Sequence, residues 1–170
     1  HSDPSCSVGY SSRTYNRHDR IVVVGGSFFG GDLELERNPI AIDVFGLPAP
    51  QGSKRIIHGR LVEASSAKLN KWRKEITRVC TAYIQDDPEP AFQGPVQLRI
   101  TFYLPRPKTV NRELPTVPPD LDKLIRAVGD GLTDGQIWKD DSLVVSLICE
   151  KVYADDREPG AEIEIHSITV

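Results

Sequence analysis

The chain has no methionine and only three cysteines in 170 residues. Cys6, Cys80 and Cys149 are odd in number, far apart and without a C-x-x-C pair. Cys80 and Cys149 fall in apolar patterns and read as reduced core residues, so a reducing, cytoplasmic setting is expected. The four histidines, His1, His18, His58 and His166, lack the spacing of zinc ligands. No run approaches the roughly 18 apolar residues that cross a bilayer. Ile21 to Gly31 is too short and too rich in glycine, and it lacks the flanks of a secretory signal, so neither a membrane span nor a leader is expected. With His at position 1 and no methionine, the sequence reads as a fragment or an extended reading of a longer frame. Residues 1–38 show no sustained period and are expected to form a poorly ordered arm. Residues 39–170 are expected to make the working domain.

What is present suits one domain with a real core: 39% hydrophobic and 26% charged residues. The net charge of −3 does not point to nucleic acid, but its distribution does. Residues 51–78 hold eight Lys and Arg against Glu63 and Glu75. A second basic run contains Arg99, Arg106, Lys108 and Arg112, and acid concentrates from residue 120 onward. A basic surface beside an acidic pocket is what a metal-dependent enzyme acting on polyphosphate needs. A solvated helix face plus a loop accounts for the basic runs equally well.

Periodicity predicts an α+β domain with a mixed sheet and two main helices, in the order β-α-β-α-β-β. The alternation of Ile40, Ile42 and Val44 makes the first strand, and a Pro- and Gly-rich loop ends it. Arg60 to Ala64 follows as a short extended piece. Leu69, Trp72, Ile76, Val79 and Tyr83 recur at helical steps, after a cap at Ser65 or Ser66. Trp72 belongs to that stripe and so to the core, rather than to a nucleic-acid stacking platform. Val96, Leu98, Ile100 and Phe102 alternate as a second strand. Pro105 to Pro119, with five prolines, is an extended loop. Leu121, Leu124, Ile125, Val128 and Leu132 line a second helix that ends at Thr133-Asp134-Gly135. Strands are expected from Asp141 to Tyr153 and from Ala161 to Thr169.

Chemistry concentrates in PPDLDKLIRAVGDGLTDGQIWKDD. Asp120 sits at the expected N-cap of the second helix, Asp122 in its first turn, and Asp140 and Asp141 at the start of the next strand. Crowded carboxylates repel one another, and a chain that gathers them usually supplies a cation. The helix is about 18 Å long, and the segment after it can span about 30 Å, so Asp141 can return to the helix start. Three Asp side chains converging there suit Mg²⁺, with Mn²⁺ as the alternative. Each residue also has a structural reading: Asp120 as a cap, Asp122 as a dipole partner, Asp140 and Asp141 as turn residues. Arg126, one turn after Asp122, is either an i,i+4 ion pair or a guanidinium held near a scissile phosphate. Asp130 reads as a structural acceptor and Trp138 as a packing anchor.

Asp120-Leu121-Asp122-Lys123-Leu124-Ile125-Arg126, Asp130-Gly131-Leu132 and Ile137-Trp138-Lys139-Asp140-Asp141 together resemble the RusA-type Holliday junction resolvases. That family shows a D-x-D-N helix start, a Lys four residues after the second Asp, a D-A-L helix end and a W-x-D-D turn before a strand. The loop from Gly46 to Arg55 and the Trp72 helix are similar to the family's N-terminal half, and the resemblance covers about residues 40–168. It implies a small homodimeric, Mg²⁺-dependent endodeoxyribonuclease that cleaves four-way DNA junctions in recombination and repair, encoded by a bacterium or phage. Carried across, Asp120, Asp122 and Asp141 are the metal ligands, and with Arg126 they form the catalytic set. Lys54, Arg55, Arg60, Lys71, Lys74 and Lys123 are the expected DNA contacts. Lys123 stands where the family has Asn, and Arg126 where it has Lys. Arginine stays charged at any working pH and cannot shuttle a proton. Either Lys123 substitutes for the family's lysine, or the role is charge stabilisation and Arg126 suffices. The rival readings are a nuclease for flaps and forks, and a junction-binding module without catalysis.

Overall fold

The computed structural model describes residues 34–35, 39–52, 54–57, 60–63, 67–86 and 92–169. In chain order the elements are β1 (Glu34–Leu35), β2 (Ile40–Phe45), β3 (Lys54–Ile57), β4 (Arg60–Glu63), α1 (Ala67–Asp86), β5 (Val96–Leu104), α2 (Leu121–Asp134), a 3-10 turn (Asp141–Leu143), β6 (Val144–Tyr153) and β7 (Gly160–Thr169). The expected β-α-β-α-β-β order is contained in this series. Three features go beyond it. β3 and β4 form an antiparallel hairpin with Lys54 opposite Glu63, so Lys54 and Arg55 lie on a strand and not in a loop. Asp141 opens a 3-10 turn, and the strand begins three residues later. Glu34 and Leu35 pair with the end of β7, while the rest of the 1–38 arm lies outside the described residues, as do Ser65 and Ser66.

The main sheet runs β1-β7-β5-β6, with β2 also pairing β7. β7 is antiparallel to both β2 and β5, whereas β5 and β6 are parallel. A parallel neighbour needs a crossover, and α2 lies in the segment that joins β5 to β6. Alternation decides the faces. Leu98, Ile100 and Phe102 oppose Ile165, Ile163 and Ala161 across the ladder, and Ile42 and Val44 continue that layer. Both helices cover it: Leu69, Trp72, Ile76 and Cys80 from α1, and Leu124, Ala127, Val128 and Leu132 from α2, form one core with these strands. The Trp72 stripe is therefore core, as its period predicted. Across the helix layer, Arg73 pairs with Asp130 at 3.3 Å and Asp134 at 2.6 Å. The groups are half-exposed, and each such pair contributes only about 0–1 kcal/mol.

The opposite sheet face carries Asp43, Glu150, Glu162 and Glu164 against Arg99, and no helix among the described residues covers it. Arg157 stacks on Tyr103 at 3.9 Å, pairs with Asp43 at 3.2 Å and also pairs with Glu162. This face is polar and net acidic. On the helix side α1 exposes Lys68, Lys71, Lys74 and Arg78.

Candidate active site

α2 brings Asp120, Asp122 and Arg126 to one end of the helix layer. Asp120 occupies the N-cap position with extended backbone, but its side chain makes no capping hydrogen bond. Instead the Lys123 ammonium donates to its Oδ2 at 2.7 Å. That bond, aided by the charges of Lys123 and Lys151, holds the Asp120 carboxyl below the usual carboxylate range. The same contact raises Lys123 above its ordinary value. Asp122 and Arg126 are exposed and form no ion pair or hydrogen bond among the described residues. The i,i+4 pair allowed by their spacing is not made.

Asp141 arrives by a different route. Trp138, 1% exposed, plugs the turn after α2, and its indole N–H donates to Thr133 Oγ1 at 2.9 Å. Ile137 N–H bonds back to Leu132 C=O, and Phe92 N–H to Ile137 C=O. Asp140 then caps the 3-10 turn by accepting from Ser142 N–H at 2.8 Å, and hydrogen bonding from the Ser142 hydroxyl, then from that N–H, keeps its carboxyl below the usual range. Asp141 is left with its carboxylate against the α2 backbone: a Cβ built on Gly129 would lie 3.6 Å from Asp141 Oδ2. Asp140 is thus a cap, and Asp141 the acid presented to the helix.

Gly129 is seven residues after Asp122, hence on nearly the same side of α2 but about 10 Å further along its axis. Asp141 reaches the correct face but meets it at Gly129, not at the helix mouth. Among the described residues no three Asp, Glu, His or Cys side chains lie close enough to hold a metal ion. The donor chemistry, carboxylate oxygens around a basic helix layer, suits a hard dication. Asp120, Asp122 and Asp141 are not gathered into one coordination shell among the described residues.

Lys151 is a residue that sequence reasoning missed. Its ammonium donates to the carbonyls of Val117 and Pro119, both at 2.9 Å. It ties β6 to the segment entering α2, one residue before Asp120. The available signal was a charged residue at a helix-facing position of an alternating strand, after Leu147 and Cys149.

Of the expected DNA contacts, Lys71 and Lys74 are exposed on α1. Both line a groove of about 490 Å³ with Asn70, Glu75 and Arg78, and Lys74 also lines an adjoining one of about 530 Å³ with Arg73 and Asp134. Lys123 is turned onto Asp120. Lys54, Arg55 and Arg60 lie on β3 and β4, and their side chains are outside the described residues.

A single α+β domain thus carries an acid-bearing helix start, a capped acidic turn and a basic neighbouring helix. The chain belongs to the endodeoxyribonuclease RusA family, whose model matches residues 46–166. It is also similar to an uncharacterized protein, YqaN, of Bacillus subtilis (strain 168), with 31% identity over 144 residues, 76% of this chain and 97% of that protein. No helix among the described residues is long and apolar enough to cross a membrane.

Proposed function

We propose that this endodeoxyribonuclease cuts branched DNA, four-way junctions foremost, in recombination and repair. The observation that carries this is Asp122 and Arg126 standing unpaired and exposed on the side of α2 that also receives Asp141. Asp120, Asp122 and Asp141, which stand apart on α2 and the turn after it, would have to converge to hold Mg²⁺, or Mn²⁺ in its place. When bound, such an ion supplies Lewis acidity toward a phosphate oxygen and an activated water. The protein's own groups do the rest. Arg126 offers a planar fork of donors to the scissile phosphate and stabilises charge that grows there. Lys123 donates to Asp120 and is a cation at the helix start, which suits it to phosphate attraction. Of the two candidates for the family lysine's place, the unpaired one is Arg126, and its role is electrostatic.

DNA lies over the helix layer in this reading, with Lys71 and Lys74 on its backbone and the acidic sheet face turned away. A homodimer is proposed, since a junction needs two matched nicks and a two-fold pair presents two equivalent sites. β6 is the sheet's edge and exposes Val145, Leu147 and Ile148, an apolar, hydrogen-bonding edge of the kind that pairs with a second chain.

The test is purified protein with a labelled four-way junction and Mg²⁺. Paired nicks by wild type, lost in Asp122→Asn, are expected. No scission by wild type, or undiminished scission by the variant, refutes the proposal. The proton-inert Arg126 favours one rival, a binding module without catalysis, which predicts metal-independent junction binding and no nick. Flaps, forks and duplex at matched salt separate the remaining substrate classes.

A further inference from the structure

The Pro-rich segment between β5 and α2 is tied down at both ends and presents one strongly exposed apolar side chain. This apolar tip is Leu114, 59% exposed. Thr116 N–H donates to Leu114 C=O at 2.9 Å, closing a three-residue turn around Pro115, and Pro115 is buried as its root. Proline's locked φ stiffens that turn. Cations pin the segment on both sides of the tip. Before it, Arg106 stacks on Tyr153 at 4.2 Å, pairs with Asp155 at 2.6 Å and donates to Arg112 C=O. After it, Lys151 holds the carbonyls of Val117 and Pro119. An apolar side chain is thus held out in solvent by a scaffold that prevents its collapse onto the core.

Its neighbours decide what it meets. Lys108 and Arg112 are exposed and have no ion pair among the described residues. Only Glu113 opposes them within the loop. An exposed apolar side chain that follows two exposed cations in the same loop fits a polyanion whose interior is apolar, that is, stacked bases between phosphates. A protein partner's interface core, by contrast, is depleted in charge. Leu114 and Asp120 are six residue steps apart, a reach of at most about 20 Å, so the tip stays within about six base steps of the acidic helix start.

We propose that Leu114 is a wedge that enters the base stack at the branch point of bound DNA, with Lys108 and Arg112 on the flanking phosphates. This rests on the branched-DNA reading above and adds to it a residue that recognises the unstacked centre. The wedge would position the junction; it is not part of the hydrolytic set. A branch point has already lost some stacking, so insertion costs least there, and the wedge favours junction over duplex.

The test places 2-aminopurine at the branch point of a four-way junction and, separately, in the middle of a duplex arm, both with EDTA present. Wild type is expected to raise branch-point fluorescence several-fold and leave the arm probe unchanged. Leu114→Ala is expected to lose that rise, and to lose about tenfold in junction-over-duplex preference. Leu114→Phe, which keeps an apolar wedge, is expected to restore both. A matching melting temperature shows that Leu114→Ala is folded. If wild type binds and nicks the junction but the branch-point probe stays quenched, or if Leu114→Ala equals wild type, the wedge is refuted and the branched-DNA reading stands. If wild type neither binds nor nicks the junction, the functional reading itself falls and takes the wedge with it.

Discussion

Gly129 and Gly131 lie two residues apart on α2 and predict opposite outcomes for the same substitution. Replacing a helical glycine with alanine gains about 1 kcal/mol from backbone entropy alone. At Gly131 the added methyl would sit 2.9 Å from Ile76 Cγ2, 3.0 Å from its Cβ and 3.1 Å from its Cδ1. Ile76 is fully buried at the α1–α2 contact and has nowhere to go. Overpacking of this kind costs about 1–3 kcal/mol, and three simultaneous close contacts put this case at the upper end. Gly131→Ala should therefore lose a net of about 2 kcal/mol. At Gly129 the methyl would meet only Asp141 Oδ2 at 3.6 Å, an ordinary contact, so the helix gain of about 1 kcal/mol survives. For a chain of this size each kcal/mol moves the melting temperature about 2–4 °C. Calorimetry should show Gly131→Ala about 4–8 °C below wild type and Gly129→Ala about 2–4 °C above it. Gly129→Ala should keep its cleavage activity, because a methyl in ordinary contact leaves the Asp141 carboxylate in place. A Gly131→Ala protein as stable as wild type would show that the helices do not pack this closely. A loss of stability in both variants would show that Ile76 is not the cause.

Lys71→Gln with Lys74→Gln should weaken junction binding at low salt and reduce the slope of log K against log salt by about 0.9 per lysine, measured by fluorescence anisotropy across a salt series. An unchanged slope would take these residues off the DNA track. Lys151→Met releases two carbonyls beside Asp120, so junction nicking should fall further than junction binding, with partial recovery in Lys151→Arg; equal losses in both would mark the contact as purely a folding one. Burial pushes the Cys80 and Cys149 thiols up to about 12 from an ordinary value of 9.0. In the native protein Cys80 and Cys149 should therefore resist alkylation at pH 8, read by mass spectrometry of the labelled peptides, and these groups should contribute full stability below about pH 9 that is lost as pH rises through 9 toward 12, readable as a falling denaturation midpoint.

The local sequence carried much of the fold. The 3-4 spacing of Leu69, Trp72 and Ile76 and the strict alternation from Val96 to Phe102 each name an element and its buried face. Asp130 read as a structural acceptor and is one, paired with Arg73 across the two helices. Trp138 read as an anchor and is buried. The β3–β4 hairpin was hidden because Pro, Gly, Ser and basic residues dominate its entrance and mask its short alternation. Asp141 was placed on a strand because the apolar run after it is strand-like; a cap by Asp140 turned three residues into a 3-10 turn instead.

By itself the sequence determined which residues bear charge at which element, since periods and caps are local. It could name Asp120, Asp122, Asp141 and Arg126 as a set because their chemistry and chain spacing resemble a known family. Only the tertiary structure decided their relations. It turned Lys123 onto Asp120, left Arg126 unpaired, brought Asp141 to Gly129 and sent Lys151 from a distant strand to the carbonyls before Asp120. Those outcomes depend on where the crossover returns α2 to the sheet, and on side chains far apart in sequence competing for the same partners. Neither is encoded in any window of a few residues.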